Sequence, residues 1–437
     1  MATDKLHGLT DRDRKLEILL DISKSLGQEV QLDRLLAIMV SEVTRAMEAE
    51  RSSLLLYDES RNELVSKVAE GLDVKEIRVP VGSGIAGMTA QTRSTINVRD
   101  AYQDPRFNPD YDKKSGFHTR SILSMPIINQ KGRLLGIVQV LNKDNGPFTA
   151  EDEAFLQAIC IHLGLALERA ELVESYVQTQ KLQQSLQLAR EIQMGLLPKK
   201  FPAFPGIAEI DIHACITPAL DVGGDLYDFF LLDDDRVCFV IGDVSDKGIP
   251  AALFMAMVRT AFKISAMAIK NNIAATLSTV NRFLVENNES QMFVTMFAGI
   301  IDLRTGAVEY SDGGHEPPYI VRSSGAVEML EKEGGIALGF MDGFDFPKGK
   351  FRLNSGESLI LYTDGVNEAM NVDSKMFKTS GIVDTLLSLG NDATAERQAT
   401  TLVRRVHEFA ASAPQSDDIT VVVLRYCGSE QVVPSSA

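Results

Sequence analysis

The hydrophobic pattern changes period several times along this chain. Residues 11–27 read as a polar amphipathic helix. Leu35, Leu36, Met39, Val43 and Met47 then share one helical face, predicting a second helix from 32 to about 49. Apolar, β-branched runs predict strands at 52–57, 64–69, 95–98, 121–128 and 134–141. Gly82, Gly84 and Gly87 mark a turn entering a short helix. Thr149-Ala150-Glu151-Asp152 has the form of a capping box and opens another helix. These elements predict a helix–sheet–helix domain of about 140 residues.

From 163 to 196 the pattern reads as one long helix, interrupted only by Gly164 and Gly195. Leu172, Tyr176, Thr179, Leu182, Leu186, Ala189, Gln193 and Leu196 step by three or four, a heptad seam with one extra step of three. Such a seam needs a partner, so a parallel homodimer through a coiled coil is expected. Pro198 stops the helix. Beyond it, strands are expected at 209–217, 229–232, 237–241, 293–302, 307–311, 318–322, 359–362 and 419–425. Two consecutive helices are expected at 250–268 and 273–287. This is no repeating βαβ order, so a mostly antiparallel sheet with helices on its faces follows.

The expected organisation is an α+β multidomain chain. It has an N-terminal helix (1–28), a first domain (29–164), a coiled-coil helix (165–197), a larger domain (198–427) and a small polar tail (428–437). The 437 residues carry a net charge of −16, which argues against nucleic acid and anionic membrane as partners. No apolar run is expected to reach the ~18–20 residues that span a bilayer. The N-terminus lacks the apolar core of a signal peptide. Cys160, Cys215, Cys238 and Cys427 are scattered without metal-type spacing and read as thiols in a reducing compartment. A cytoplasmic protein is the expectation.

The candidate chemistry lies in aspartates at strand ends. Asp243 follows the apolar run 237–241, Asp364 follows 359–362, and Asp417 precedes 419–424. In an antiparallel sheet, one strand's end lies beside its neighbour's start, so all three are expected at one rim of one sheet. A hairpin turning at Asp234 would also set Asp225 opposite Asp243, roughly 5 Å apart. Clustered carboxylates repel unless a cation sits among them, and hard oxygen donors suit Mg²⁺ or Mn²⁺.

Six ordered motifs extend this picture: Asp221-Val222-Gly223-Gly224-Asp225-Leu226-Tyr227-Asp228, Gly242-Asp243-Val244-Ser245-Asp246-Lys247-Gly248, Phe293-Val294-Thr295-Met296-Phe297, Gly314-His315-Glu316-Pro317-Pro318-Tyr319, Tyr362-Thr363-Asp364-Gly365-Val366-Asn367-Glu368 and Asp417-Asp418-Ile419-Thr420. Carrying them, residues 198–427 resemble the SpoIIE/RsbU-type branch of the PPM (PP2C-like) serine/threonine phosphatases. The resemblance implies an αββα sandwich holding two Mn²⁺ or Mg²⁺ ions. Asp243 would bridge both. Asp225 and the Val244 carbonyl would help hold one ion, and Asp364 and Asp417 the other. Asp418, Lys247 and His315 would stand just behind the ligands or on the phosphate side, and Gly365 would allow a tight turn. The implied reaction is attack of metal-activated water on phosphorus, without a phospho-enzyme. Asp246-Lys247-Gly248 stands where many relatives have Gly-His-Gly, which leaves the general acid unassigned.

Asn142, Lys143, Phe148, Asp152 and Glu153 reproduce a pattern of cyclic-nucleotide-binding GAF domains, and the stretch 30–170 resembles a GAF domain. That implies a small-molecule sensor of unspecified ligand, although Lys143 and Asp152 also read as a structural ion pair. The combined expectation is a signal-regulated phosphatase for a phosphorylated anti-sigma-factor antagonist (STAS) in bacterial partner-switching. The alternatives are a non-catalytic scaffold with a degenerate metal site and a two-metal nucleotide cyclase.

Overall fold

Strand alternation explains the first sheet. In β1 (Ala49–Asp58), Leu54 and Leu55 are both buried because they face opposite sides of the sheet, into two separate apolar clusters. The computed structural model describes residues 15–21, 32–69, 77–390 and 392–428. The expected N-terminal helix is described only at 15–21, where it is helical, and the tail beyond Gly428 lies outside the described residues.

β1 joins β2 (Glu63–Ala69), β3 (Arg78–Pro80), β4 (Ile96–Val98), β5 (Ile122–Ile128) and β6 (Leu134–Lys143) in an antiparallel sheet ordered β3-β2-β1-β6-β5-β4. Helix α1 (Leu32–Ala46) lays Leu35, Leu36, Met39, Val40 and Val43 on one face of this sheet. Phe155, Leu156, Ile159 and Leu163 join the same cluster. Helix α2 (Gly84–Thr92) covers part of the other face through Ala86 and Ala90. A short helix, α3 (Asp110–Ser115), precedes β5.

The capping-box helix and the long helix are a single element, α4 (Ala150–Leu196). Gly164 does not break it. A Cβ there would meet Ile127 Cγ2 at 3.5 Å and the Ile128 carbonyl at 3.6 Å, ordinary van der Waals contact, so packing against β5 does not require glycine. Leu172, Tyr176 and Leu182 of the expected seam are 72, 65 and 59% exposed. Gln193, assigned above to that seam, is instead buried, with its amide bonded to the backbone of Gly223.

The chain divides into two units, 1–181 and 182–437. The second is built on two five-stranded antiparallel sheets. One is ordered β14-β11-β10-β9-β8 and the other β13-β12-β15-β16-β7. The strands are β7 (Ile210–Thr217), β8 (Leu226–Asp233), β9 (Arg236–Val244), β10 (Val294–Asp302), β11 (Ala307–Gly313), β12 (Tyr319–Val321), β13 (Val327–Met329), β14 (Gly349–Arg352), β15 (Ser358–Tyr362) and β16 (Ile419–Tyr426). Tyr227, Phe229, Val237, Phe239 and Ile241 of one sheet meet Leu359, Leu361, Val422 and Leu424 of the other in a shared core. Alternate residues face outward. Cys238 and Val240 pack under α5 (Ile249–Ile269) and α6 (Ile273–Glu286), while Val421 and Val423 pack under α8 (Lys378–Ser388) and α9 (Ala395–Ala410). The layers are therefore α, β, β, α. Helix α7 (Asp364–Asn367) is a single turn after β15.

Two expectations are corrected here. The aspartates do not share one sheet: Asp243 ends β9 in the first, whereas Asp364 follows β15 and Asp417 precedes β16 in the second. Local patterning cannot say which strands pair across long separations. Moreover, α5 is long and apolar enough by composition to cross a membrane. Its Phe254, Met255, Val258 and Phe262 are buried in the domain core, and its Arg259 pairs with buried Asp228 at 2.8 Å.

Candidate metal centre and the cavity of the first unit

Period-two alternation aims the first two aspartates at the junction between the sheets. Phe239 and Ile241 point inward, so Asp243, two residues on, does too; Tyr227 and Phe229 place Asp225 in the same phase. The β8–β9 ladder pairs Tyr227 with Ile241 and Leu226 with Gly242, and Asp225 and Asp243 stand one step beyond it. The turn differs from expectation, because only residues 234 and 235 lie between the strands. A bulge between Leu231 and Asp233 compensates and preserves the register.

Asp225 is buried. Its Oδ2 accepts hydrogen bonds from Thr363 Oγ1, at 2.8 Å, and from Thr420 Oγ1. Burial first, then the charges of Asp243 and Asp418, push its carboxyl well above the usual carboxylate range. Burial, together with Asp364 and Asp417, pushes Asp243 up to about 7. Asp364 rises to about 6 through burial, Asp417 and nearby glutamates. The four carboxylates thus feel one another across the two sheets.

Asp418 serves backbone rather than solvent. Its Oδ1 accepts from Ala219 N at 2.7 Å, and its Oδ2 accepts from Gly224 N at 2.8 Å and Asp225 N at 3.4 Å. It thereby ties the loop before Asp225 to the start of β16. The same loop is held from α4: Gln193 Nε2 donates to the Gly223 carbonyl at 2.6 Å, and Gly223 N donates to Gln193 Oε1 at 3.1 Å. A Cβ on Gly224 would lie 2.9 Å from the Val244 carbonyl, so that carbonyl packs directly against the residue preceding Asp225.

Lys247 Nζ lies 2.8 Å from Asp417 Oδ2 and also donates to the Ser416 carbonyl. His315 is buried and braces both sheets. Its Nε2 lies 3.1 Å from the Tyr362 carbonyl and must donate to it, so Nδ1 accepts from Thr295 Oγ1 at 2.8 Å. Burial lowers its pKa to about 4, so the ring is neutral at pH 7. Thr295 pairs with Asp243 across β9 and β10, and Tyr362 ends the strand before Asp364, so this histidine links both aspartate-bearing strand ends. Gly365 is not among the positive-φ glycines. Its reason is space, because a Cβ there would sit 2.0 Å from the Asp418 carbonyl oxygen.

The donor set fits divalent ions. It is all oxygen, strongly acidic, and carries more negative charge than Lys247 offsets; burial first, and mutual repulsion after it, raise its carboxyls. Among the described residues, no three His, Cys, Asp or Glu side chains already stand as a closed ligand group. Thr363, Thr420 and Gln193 were not singled out from sequence. The two threonines adjoin motif aspartates, which is a usable signal; Gln193 gives none, because its partner lies 30 residues away.

The first unit holds a cavity of about 180 Å³ between α2 and the sheet. Leu55, Val79 and Ile122 form apolar wall, and Ser53, Gln139 and Arg51 contribute polar groups. Arg51 stacks on Phe117 at 4.2 Å from the ring centre. None of Asn142, Lys143, Phe148, Asp152 or Glu153 lines this cavity. Asp152 is fully buried and binds Lys143, Lys15 at 3.2 Å and Thr149 N at 2.8 Å, as a structural junction. Asn142 Oδ1 accepts from Arg120 N, its Nδ2 donates to Glu50, and Glu153 accepts from Asn97. Phe148 packs in the core.

A sheet-and-helix unit and an αββα sandwich with an acidic rim define the class. Residues 31–167 match the GAF domain family, and residues 233–426 match Stage II sporulation protein E (SpoIIE). The chain thus carries a stretch that matches the GAF domain family, followed by one that matches SpoIIE. Protein IcfG of Synechocystis sp. is 31% identical over 266 residues, covering 55% of this chain and 41% of IcfG. A probable 3',5'-cyclic phosphodiesterase of Caenorhabditis elegans is 32% identical over 203 residues, covering 43% of this chain and 27% of that protein. The chain thus spans less than half the length of these curated relatives. Among solved structures, the SiaA-PP2C domain of Pseudomonas aeruginosa is 22% identical over 57% of this chain and 98% of that domain, with a TM-score of 0.51. That likeness shows the fold.

Proposed function

We propose that the protein is a signal-regulated, metal-dependent phosphatase acting on phosphoserine or phosphothreonine in a protein, of the phosphorylated anti-sigma-factor antagonist (STAS) type. The observation that carries this reading is the convergence of Asp225, Asp243, Asp364 and Asp417 where two sheets meet, with a raised Asp243 and Asp364. Asp243 would serve two ions, Asp225 and the Val244 carbonyl one, and Asp364 and Asp417 the other. Bound Mn²⁺ or Mg²⁺ would supply activated water and charge neutralisation for phosphoryl transfer to it. The chain's own groups do the positioning. Thr363 and Thr420 orient Asp225, Asp418 and Gln193 hold its loop, and neutral His315 locks the strand ends together. Lys247 places a cation beside Asp417, where a phosphoryl oxygen would be attracted.

On this reading the cavity in the GAF domain receives a small molecule, and α4 carries the response toward the loop of Asp225 through Gln193. The exposed Leu172, Tyr176 and Leu182 support a homodimer through that helix. Residues 29–164 would then form the sensor, 165–197 the signalling helix and 198–427 the catalytic domain. A second reading, a non-catalytic scaffold, draws on the lack of a closed ligand group among the described residues. The deciding experiment is Mn²⁺-dependent phosphate release from p-nitrophenyl phosphate and from phosphoserine STAS proteins. Hydrolysis by the full chain, abolished in Asp364→Ala with the fold intact, supports the enzyme. No release by the wild type from any substrate leaves the scaffold, and cyclic product from ATP with Mn²⁺ would assign a cyclase instead.

A further inference from the structure

We propose that the cavity of the first unit is a receptor for a small aromatic monocarboxylate, with the carboxylate held by Arg51. The inference rests on the reading above that this cavity receives a small molecule, and it names the class. Parts of the wall carry donors that the protein leaves unused. Arg51 and Ser53 lie two residues apart on β1 and so face the same side of the sheet, and Ser53 stands opposite Gln139 on β6. The next position along that row is closed, because Ser124, opposite Gln139 on β5, shares a hydrogen bond of 2.8 Å with Thr89 Oγ1 of α2. Ser53 Oγ and the Gln139 amide have no hydrogen-bond partner among the described residues. Arg51 lies over Phe117, 4.2 Å from the ring centre, and forms no ion pair among the described residues. A stacked guanidinium keeps its in-plane N–H edge, which meets a carboxylate through two parallel hydrogen bonds.

Helix α2 adds backbone donors. Gly84, Ile85 and Ala86 form its first turn and all line the cavity. Their N–H groups have no acceptor within the helix. The Ser83 side chain does not cap them, and no other carbonyl takes them among the described residues. Leaving such groups unpaired in a buried turn is costly, so an acceptor entering here is favoured. The acid in the wall, Asp112, is already held by Thr119 N and Oγ1, each at 2.7 Å, and by Tyr102 Oη at 3.2 Å. Its charge sets a limit: one unpaired cation near one carboxylate favours a singly charged ligand over a doubly charged phosphate. The larger, apolar part of the wall includes Leu55, Ile77, Val79, Ile122 and Leu141. Apolar cavities of about 150 Å³ take up benzene, so about 180 Å³ suits one ring carrying a short acid arm.

The test is isothermal titration of the 437-residue chain in EDTA with benzoate and phenylacetate, each against its uncharged amide, and with inorganic phosphate and cyclic GMP. At least one of the two acids should bind saturably, one per chain, about tenfold more tightly than its amide. Arg51→Gln should bring acid and amide level, and Arg51→Lys should keep part of the preference. Melting curves without ligand check that both variants fold, and the comparison of acid with amide in the wild type needs no variant. Saturable binding without preference for the acid, a preference that survives Arg51→Gln, or tighter binding of phosphate or cyclic GMP than of either acid overturns the monocarboxylate and leaves the receptor cavity standing. No saturable binding by any probe overturns both.

Discussion

Asparagine at position 243 should stabilise the metal-free protein at alkaline pH, although it removes the central ligand. The folded Asp243 carboxyl holds its proton up to about pH 7, against 3.8 for the ordinary group. Between these values the folded chain binds more protons than the unfolded one, so stability falls as pH rises. The contribution is fully present below about pH 4 and is lost as pH climbs through 7. The shift corresponds to at most about 4 kcal/mol, and water at the open rim leaves about 2 kcal/mol of it. For a domain of this size that is about 4–8 °C in melting temperature. Thermal unfolding followed by circular dichroism in EDTA, from pH 5 to 8.5, should show Asp243→Asn melting above wild type at pH 8, with the gap closing toward pH 5. Adding Mn²⁺ should reverse the order, because only the wild type gains a bound cation. Parallel curves in EDTA, or a variant less stable than wild type at pH 8, would refute the reasoning.

Gly365→Ala should cost more than about 2 kcal/mol and lower phosphate release, because its Cβ would lie 2.0 Å from a backbone oxygen that cannot move freely; a wild-type melting curve would contradict this. Gln193→Leu keeps volume but strips both bonds from Gly223, so Mn²⁺ affinity or turnover should fall severalfold while the GAF-domain transition stays put; titration with parallel melts checks both. Asp152→Ala leaves Lys143 without its buried partner and should destabilise the GAF unit by about 3 kcal/mol without altering ligand selectivity at the cavity, as read by differential melting.

What could be read in the chain, and what could not, divides by sequence distance. The register of Asp225 against Asp243 was legible because a short hairpin and a period of two determine it, and the bulge beside the turn kept the result intact. Splitting the strands into two sheets was not legible, since β15 and β16 pair across more than fifty residues. The edge strands β3, β13 and β14 are three or four residues long, too short to carry a period. Helix α9 carries a local signal, because Ala395, Ala399, Leu402 and Val406 form a buried stripe at helical spacing. At the site, the aspartates announced themselves through strand ends. The grip of Asp418 on Ala219 and Gly224 spans nearly two hundred residues and leaves no local pattern. The five GAF-motif residues have structural partners away from the cavity, so the motif marks the packing of the domain rather than the cavity wall.

The central claim is most directly tested by counting Mn²⁺ bound per chain, using electron paramagnetic resonance of free against bound ion. The 437-residue chain should bind two Mn²⁺ saturably, and Asp243→Asn should lose both together, because one carboxylate would serve the two ions. No saturable Mn²⁺ in the wild type, or undiminished binding in Asp243→Asn, would contradict the account.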